Sequence, residues 1–135
     1  MYKNILIPTD GSQLTAKAIA SGVALAKAVG AKVTGITVTV PSQVFANAMN
    51  NTSSSAAEKY LSDVRDAAAA AGVDCSVVHA EHEQPYQAII DGAKRNGCDL
   101  IVMASHGRRG VSALMLGSET VKVLTHSTVP VLVYR

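Results

Sequence analysis

Two rhythms of apolar and polar positions run along this chain, and each change of rhythm marks an element. Ile5-Leu6-Ile7-Pro8 is a short apolar run and predicts a first strand starting near Tyr2. The polar stretch Thr9-Asp10-Gly11-Ser12 turns the chain at that strand's C-terminal end. From Ser12 to Val29 the residues Leu14, Ala18, Ile19, Val23, Leu25 and Ala26 recur at helical spacing, and Gly30 suits the left-handed position just past a helix. Gly22 inside that helix costs about 1 kcal/mol relative to alanine, which points to close packing on a sheet. Val33 to Val40 is rich in β-branched residues, predicts a second strand, and is stopped by Pro41.

Ser42 to Asn51 has no clear period and is expected to be a loop or irregular segment. Ser55-Ala56-Ala57-Glu58 has the capping-box pattern, a hydroxyl followed three residues later by a carboxylate. It predicts a helix that runs through Tyr60, Leu61 and Val64 to Ala71 and ends at Gly72. Cys75 to Val78 predicts a short third strand. Gln84-Pro85 opens a helix whose apolar face is Ala88, Ile89, Ile90 and Ala93 and which Gly97 ends. Leu100 to Ala104 is a continuous apolar run, the pattern of a buried parallel strand. A last helix begins at Ser118 and carries Val121, Val123 and Leu124, and Val129 to Tyr134 predicts a fifth strand.

Strict alternation of strand and helix with short connections predicts an α/β fold: a single-domain, open, parallel five-stranded sheet with helices on both faces, spanning residues 1–135. In such sheets ligands sit beyond the C-terminal strand ends, where the strand order reverses. Thr9-Asp10-Gly11 and Ser105 to Gly110 both lie at such ends and are expected to face one crevice.

The second of those segments is the more informative. After Ala104 the polarity flips to Ser105-His106-Gly107-Arg108-Arg109-Gly110, and Gly117-Ser118 directly precedes the last helix. Glycines let main-chain N–H groups approach a ligand, and a helix start adds unpaired donors and partial positive charge. The order strand, basic glycine loop, helix start therefore fits phosphate. The same glycines also serve as plain turn residues, and Ser118 also serves as a helix cap.

Composition narrows the partners. The chain has 135 residues, a formal charge of +2, one Phe, four Tyr and no Trp. That balance is too mild for a nucleic-acid surface, and the aromatics are too few for base-stacking platforms. No apolar run reaches the length of a membrane span, and the start has no signal-peptide pattern. Cys75 and Cys98 are far apart in no metal-like spacing. They fit reduced thiols in a soluble cytoplasmic protein.

Tyr2 to Ser12, Ile101 to Gly117 and Val129 to Val133 together resemble the universal stress protein family, and the resemblance covers essentially the whole chain. Its nucleotide-binding branch carries glycine, two residues, glycine, nine residues, glycine, then serine or threonine. Gly107 and Gly117-Ser118 match the last three elements, Ala104 stands where the first glycine belongs, and Gly110 is an additional glycine. The resemblance implies a stress-response regulator that binds ATP, with Mg2+, or a related adenine nucleotide. It implies that Pro8, Thr9 and Asp10 border adenine and ribose, and that Val38 offers main chain to the adenine edge. Met103, Ala104, His106, Gly107, Arg108, Arg109, Gly110, Gly117, Ser118 and Glu119 complete the implied nucleotide site. It also implies a homodimer through the C-terminal strand, and a protein partner of unspecified kind reads the bound state.

Several residues have a plainer role beside the functional one. Asp10 suits an Asx-turn as well as ribose or a phosphate-bound metal. His106 has no carboxylate beside it in the loop to orient it as a general base. Arg108 and Arg109 suit a terminal phosphate and a solvated loop equally. His79, Glu81, His82 and Glu83 read as a charged edge or turn rather than a metal site, because alternate strand positions face opposite ways. Catalysis is at most a slow ATPase or autophosphorylation at Ser118, since the chain lacks a Walker lysine motif. A phosphorelay receiver shares the architecture but wants clustered acids near Asp10, where one stands. A dimeric stress protein acting through protein contacts without nucleotide is the remaining alternative.

Overall fold

The computed structural model describes residues 1–46, 53–107 and 115–135. In chain order the elements are β1 (Asn4–Pro8), α1 (Gln13–Val29), β2 (Lys32–Thr39), α2 (Pro41–Ala46), α3 (Ser53–Ala71), β3 (Cys75–Glu81), α4 (Pro85–Arg95), β4 (Leu100–Ala104), α5 (Ser118–His126) and β5 (Val131–Tyr134). The five strands form one sheet in the order β3-β2-β1-β4-β5, and every pairing is parallel.

Side-chain alternation divides the core. Ile5, Ile7, Val33, Leu100 and Val102 pack with Ile19, Val23 and Ala26 of α1 and Val64 and Ala68 of α3. Leu6, Ile36, Ile101 and Met103 pack on the other face with Ile89 and Ala93 of α4 and Val123 of α5. The central strands β1 and β4 are covered on both sides, which is why their sequences are unbroken apolar runs. Gly22 serves the first layer: a Cβ there would stand 2.6 Å from Ile7 Cδ1. Among the described residues no helix is long and apolar enough to cross a membrane.

Four elements differ from the sequence reading. Pro41–Ala46 forms a short helix where an irregular segment was expected, and positions 47–51 of that segment lie outside the described residues. Proline at a first helical position is preset for the turn, and Glu83 accepts hydrogen bonds from Ser42 N (2.9 Å) and Ser42 Oγ (2.8 Å). That cap comes from the far end of β3, so no local pattern announces it. Helix α3 starts at Ser53, two residues before the capping-box serine, within a run of three serines that leaves the start degenerate. Strand β3 continues to Glu81 because His79, Ala80 and Glu81 pair with Thr37, Val38 and Thr39 of β2. Strand β5 starts at Val131 rather than Val129, after a proline whose carbonyl accepts from Ile101 N at 2.9 Å.

Candidate functional site

The strand order reverses between β1 and β4. The chain leaves β1 toward α1 on one face and leaves β4 toward α5 on the other. The two departing loops therefore part from each other and open a crevice above the strand ends.

On the β1 side the turn is tightly determined. Pro8 pairs with Ile36, Thr9 N donates to Ile36 O at 2.8 Å, and Thr37 Oγ1 donates to Thr9 O at 2.8 Å. The Asp10 carboxylate accepts from Ser12 N (3.0 Å) and Thr15 Oγ1 (2.8 Å), both on Oδ1. Thr15 is buried, and its single proton goes to Asp10, so Ser12 Oγ is the donor in its 2.7 Å contact with Thr15 Oγ1. Ser12 Oγ also accepts from Thr15 N at 3.2 Å and caps α1. Gly11 has φ +78°, and the Tyr60 ring of α3 occupies the place a Cβ would take. Asp10 is thus an Asx-turn residue through one oxygen. A Cβ built on Gly107 would fall on the Asp10 carboxylate, Oδ2 foremost, so the other oxygen faces the β4 loop.

On the β4 side three contacts fix the start of α5 over the strand end. Ser105 N donates to Tyr134 O at 2.8 Å, Gly117 N donates to Ser105 O at 2.6 Å, and the buried Thr120 Oγ1 donates to Ala104 O at 3.0 Å. Gly117 is the N-cap with φ −63°, a value open to any residue. Its need for glycine is steric, because a Cβ would stand 3.0 Å from His106 Cα and 3.3 Å from Ser105 O. Ser118 and Glu119 open α5, whose first-turn N–H groups have no carbonyl four residues back within the helix.

The structure brings Pro8, Thr9, Asp10, Ala104, His106, Gly107, Gly117 and Ser118 to this crevice. Met103 is buried under it against α4 and α5, and Val38, two residues beyond the partner of Pro8, flanks it on the β2 side. Glu119 differs from the expectation: its carboxylate accepts from Tyr86 N at 2.8 Å in the first turn of α4 and pairs with Lys122 at 3.4 Å. The main-chain N–H of Glu119 lies in the first turn of α5. Arg108, Arg109 and Gly110 lie outside the described residues. His106 Nδ1 stands 3.2 Å from Ser105 Oγ. Sequence reasoning missed Thr15 and Thr120, buried polar residues whose partners lie on other elements or across a turn, and named Ser105 only as the start of the loop after β4. Their one signal was a hydroxyl beside a strand end.

The β3 acids and histidines have separate employment. His79 Nε2 lies 2.6 Å from Thr39 Oγ1, His82 Nδ1 accepts from Gln84 N at 2.8 Å, and Glu83 caps α2. Among the described residues no group of three or more His, Cys, Asp or Glu is placed to hold a metal ion. Cys75 and Cys98 are free thiols, and burial pushes both above the ordinary thiol range.

The model of the universal stress protein family matches residues 1–135. The chain belongs to the universal stress protein family. Universal stress protein YxiE of Bacillus subtilis is 34% identical over 151 residues, covering 100% of both chains. The solved structure of MJ0577, a protein of Methanocaldococcus jannaschii, superimposes with a TM-score of 0.82 at 26% identity, covering 99% of this chain and 96% of that one. A universal stress protein solved in complex with cAMP superimposes with a TM-score of 0.75 at 24% identity, covering 99% and 97%. The five-stranded parallel sheet of this universal stress protein is the fold of these relatives.

Proposed function

We propose that the crevice between β1 and β4 binds ATP, with Mg2+, or a related adenine nucleotide, and that the protein is a cytoplasmic regulator whose bound state is read by partner proteins. The observation that carries this reading is the meeting of Asp10 and Gly107 across the strand-order reversal, with no room for a Cβ between them. Together with Gly117 it leaves bare main chain where a phosphate would approach, at the start of a helix. The cAMP complex of a structural neighbour supports the same class of ligand.

In this reading Pro8, Thr9, Asp10 and Val38 border adenine and ribose. Gly107, Ser118 and the N–H groups at the start of α5 hold phosphates, joined by Arg108, Arg109 and Gly110. Asp10 is the acid in the crevice suited to a phosphate-bound Mg2+. The nucleotide supplies a charged group whose presence or loss changes the surface around the crevice. Regulation is favoured over efficient hydrolysis because His106 Nδ1 lies against the Ser105 hydroxyl, with no carboxylate orienting it among its described contacts.

A ligand that binds only the folded state stabilises it by about 2.7 kcal/mol at a hundredfold excess over its dissociation constant. Millimolar ATP with magnesium is therefore expected to raise the melting temperature. An unchanged melting temperature with a flat calorimetric titration would leave a stress protein that acts without nucleotide.

A further inference from the structure

At the opposite pole, where the strands begin, a cleft of about 430 Å3 opens between the C-terminal ends of α1 and α3. Lys3, Lys27, Lys32, Asp74, Gly30 and Gly72 are among its lining residues. Lys3, just before β1, and Lys32, the first residue of β2, are joined through the main chain, Lys32 N donating to Lys3 O at 3.0 Å. The ion pairs among the described residues are Lys59–Asp63, Arg65–Glu58 and Lys122–Glu119, so none of the three cleft lysines has a salt-bridge partner there. Asp99 is near Lys3 but gives its oxygens to Lys3 N (2.9 and 3.1 Å) and Asn4 N (3.1 Å). Asp74 is the one carboxylate lining the cleft.

The helix dipole explains only part of this. Lys27 sits in the last turn of α1, where a cation offsets the partial negative charge of the helix end. Lys32 starts β2 and Lys3 directly precedes β1, so both bring their charge to the same end of the sheet. Lys3 faces the Asp99 charge, whereas Lys32 has no ion pair among the described residues.

We propose that this cleft is a docking site for an acidic segment of a partner protein, an extended run rich in Glu or Asp. The ammonium groups call for carboxylates. The walls are helix C-termini, where Ala26 O, Ala68 O and Ala69 O are taken by Ala31 N, Val73 N and Gly72 N and the remaining last-turn carbonyls call for N–H donors. A peptide brings both kinds of group, whereas a phosphate anion brings acceptors almost alone. Gly30 and Gly72 are exposed on the cleft, and a Cβ at either would meet nothing within 4 Å, so a main chain can lie along them. The cleft is at the far end of the sheet from the nucleotide crevice and does not depend on it.

The test is a fluorescence-anisotropy titration at physiological ionic strength with labelled hexaglutamate, with hexaglutamine and tripolyphosphate as the comparison probes. Amide spectra of the isotope-labelled protein locate the site. Hexaglutamate is expected to bind and to shift the Gly30 and Gly72 amides. The Lys3→Gln/Lys27→Gln/Lys32→Gln variant is expected to lose about tenfold or more in affinity, and a Lys17→Gln/Lys59→Gln/Lys122→Gln control less than about twofold. The substituted lysines are exposed, and the spectra of each variant report its folding. Absence of binding, equal loss in both variants, or shifts confined to other residues would overturn the proposal. So would binding of tripolyphosphate alone at Gly30 and Gly72, which would make the cleft a small-anion site.

Discussion

Asp10 shows how one side chain is prepared for two tasks. Ser12 N and Thr15 Oγ1 hold one carboxylate oxygen, and this fixes the direction of the other toward Gly107. Ala104 poses a related question of a single methyl group. It ends β4 in extended backbone, is 8% exposed, and by alternation shares the α1 face with Leu100 and Val102. Extended backbone accepts alanine without strain, so the replacement of the family's glycine leaves only the bulk of the methyl to consider. Ala104→Gly is expected to change ATP affinity by less than about tenfold, and Ala104→Val to weaken it by more than that, on the order of 1.4 kcal/mol or greater. Isothermal titration of both variants measures this. A glycine variant that binds ATP while the natural protein does not would make Ala104 an off-switch.

Among the elements, β1 is fastened at both ends by groups from elsewhere in the chain. At its start, burial works to raise the Asp99 pKa, but hydrogen bonds from Asn4 N and Lys3 N outweigh it and hold the carboxyl below the ordinary aspartate value of 3.8. A carboxyl depressed in the folded state stabilises the fold above its unfolded pKa, and that contribution disappears as pH falls through the folded value. Asp99→Asn is therefore expected to lower the melting temperature at neutral pH by at most about 3–5 °C, since solvent screens this largely exposed group, with the gap to the natural protein closing as pH falls below the ordinary aspartate value. Thermal melts across that range check it, and a gap that persists undiminished in acid would assign the effect to shape rather than charge. At the other end Thr9 N donates to Ile36 O and Thr37 Oγ1 to Thr9 O, and alongside it the start of α5 is tied to the end of β4 by Gly117 N and Thr120 Oγ1. The hydroxyl residues Thr37 and Thr120 in these ties were the least visible in the sequence, because a hydroxyl signals a partner only once the chain has folded back. Helix α2 escaped notice for the same reason, its cap being Glu83. Periodicity succeeded where one face or both faces of an element are buried, as in α1, α4 and β4. It stopped short of the true strand end at β3, whose last, polar residues are recruited by pairing with β2.

At the scale of the whole molecule, the fold and the crevice were readable because alternation of strand and helix leaves few topologies and puts the loops after β1 and β4 together. Which side chains meet there was not readable, as Glu119 illustrates: proximity in sequence to Gly117 says nothing of α4. The sheet has β5 at one edge, with Leu132 47% exposed on it and Val121 and Leu124 exposed on the neighbouring α5. An apolar edge strand is a template for pairing. We expect a homodimer through β5, with Leu132→Lys shifting it toward monomer, and light scattering at micromolar concentration measures this. A natural protein that is monomeric under those conditions would contradict it.

The claim that the crevice holds the nucleotide rests most heavily on Gly117, where a side chain meets the His106 main chain. Calorimetric titration of ATP with magnesium into the natural protein and into Gly117→Val tests it most directly, with circular dichroism confirming that both are folded. Binding by the natural protein and a loss of tenfold or more in the variant, about 1.4 kcal/mol, is the predicted result. Equal affinity in the two proteins, or no heat from the natural one, would contradict it.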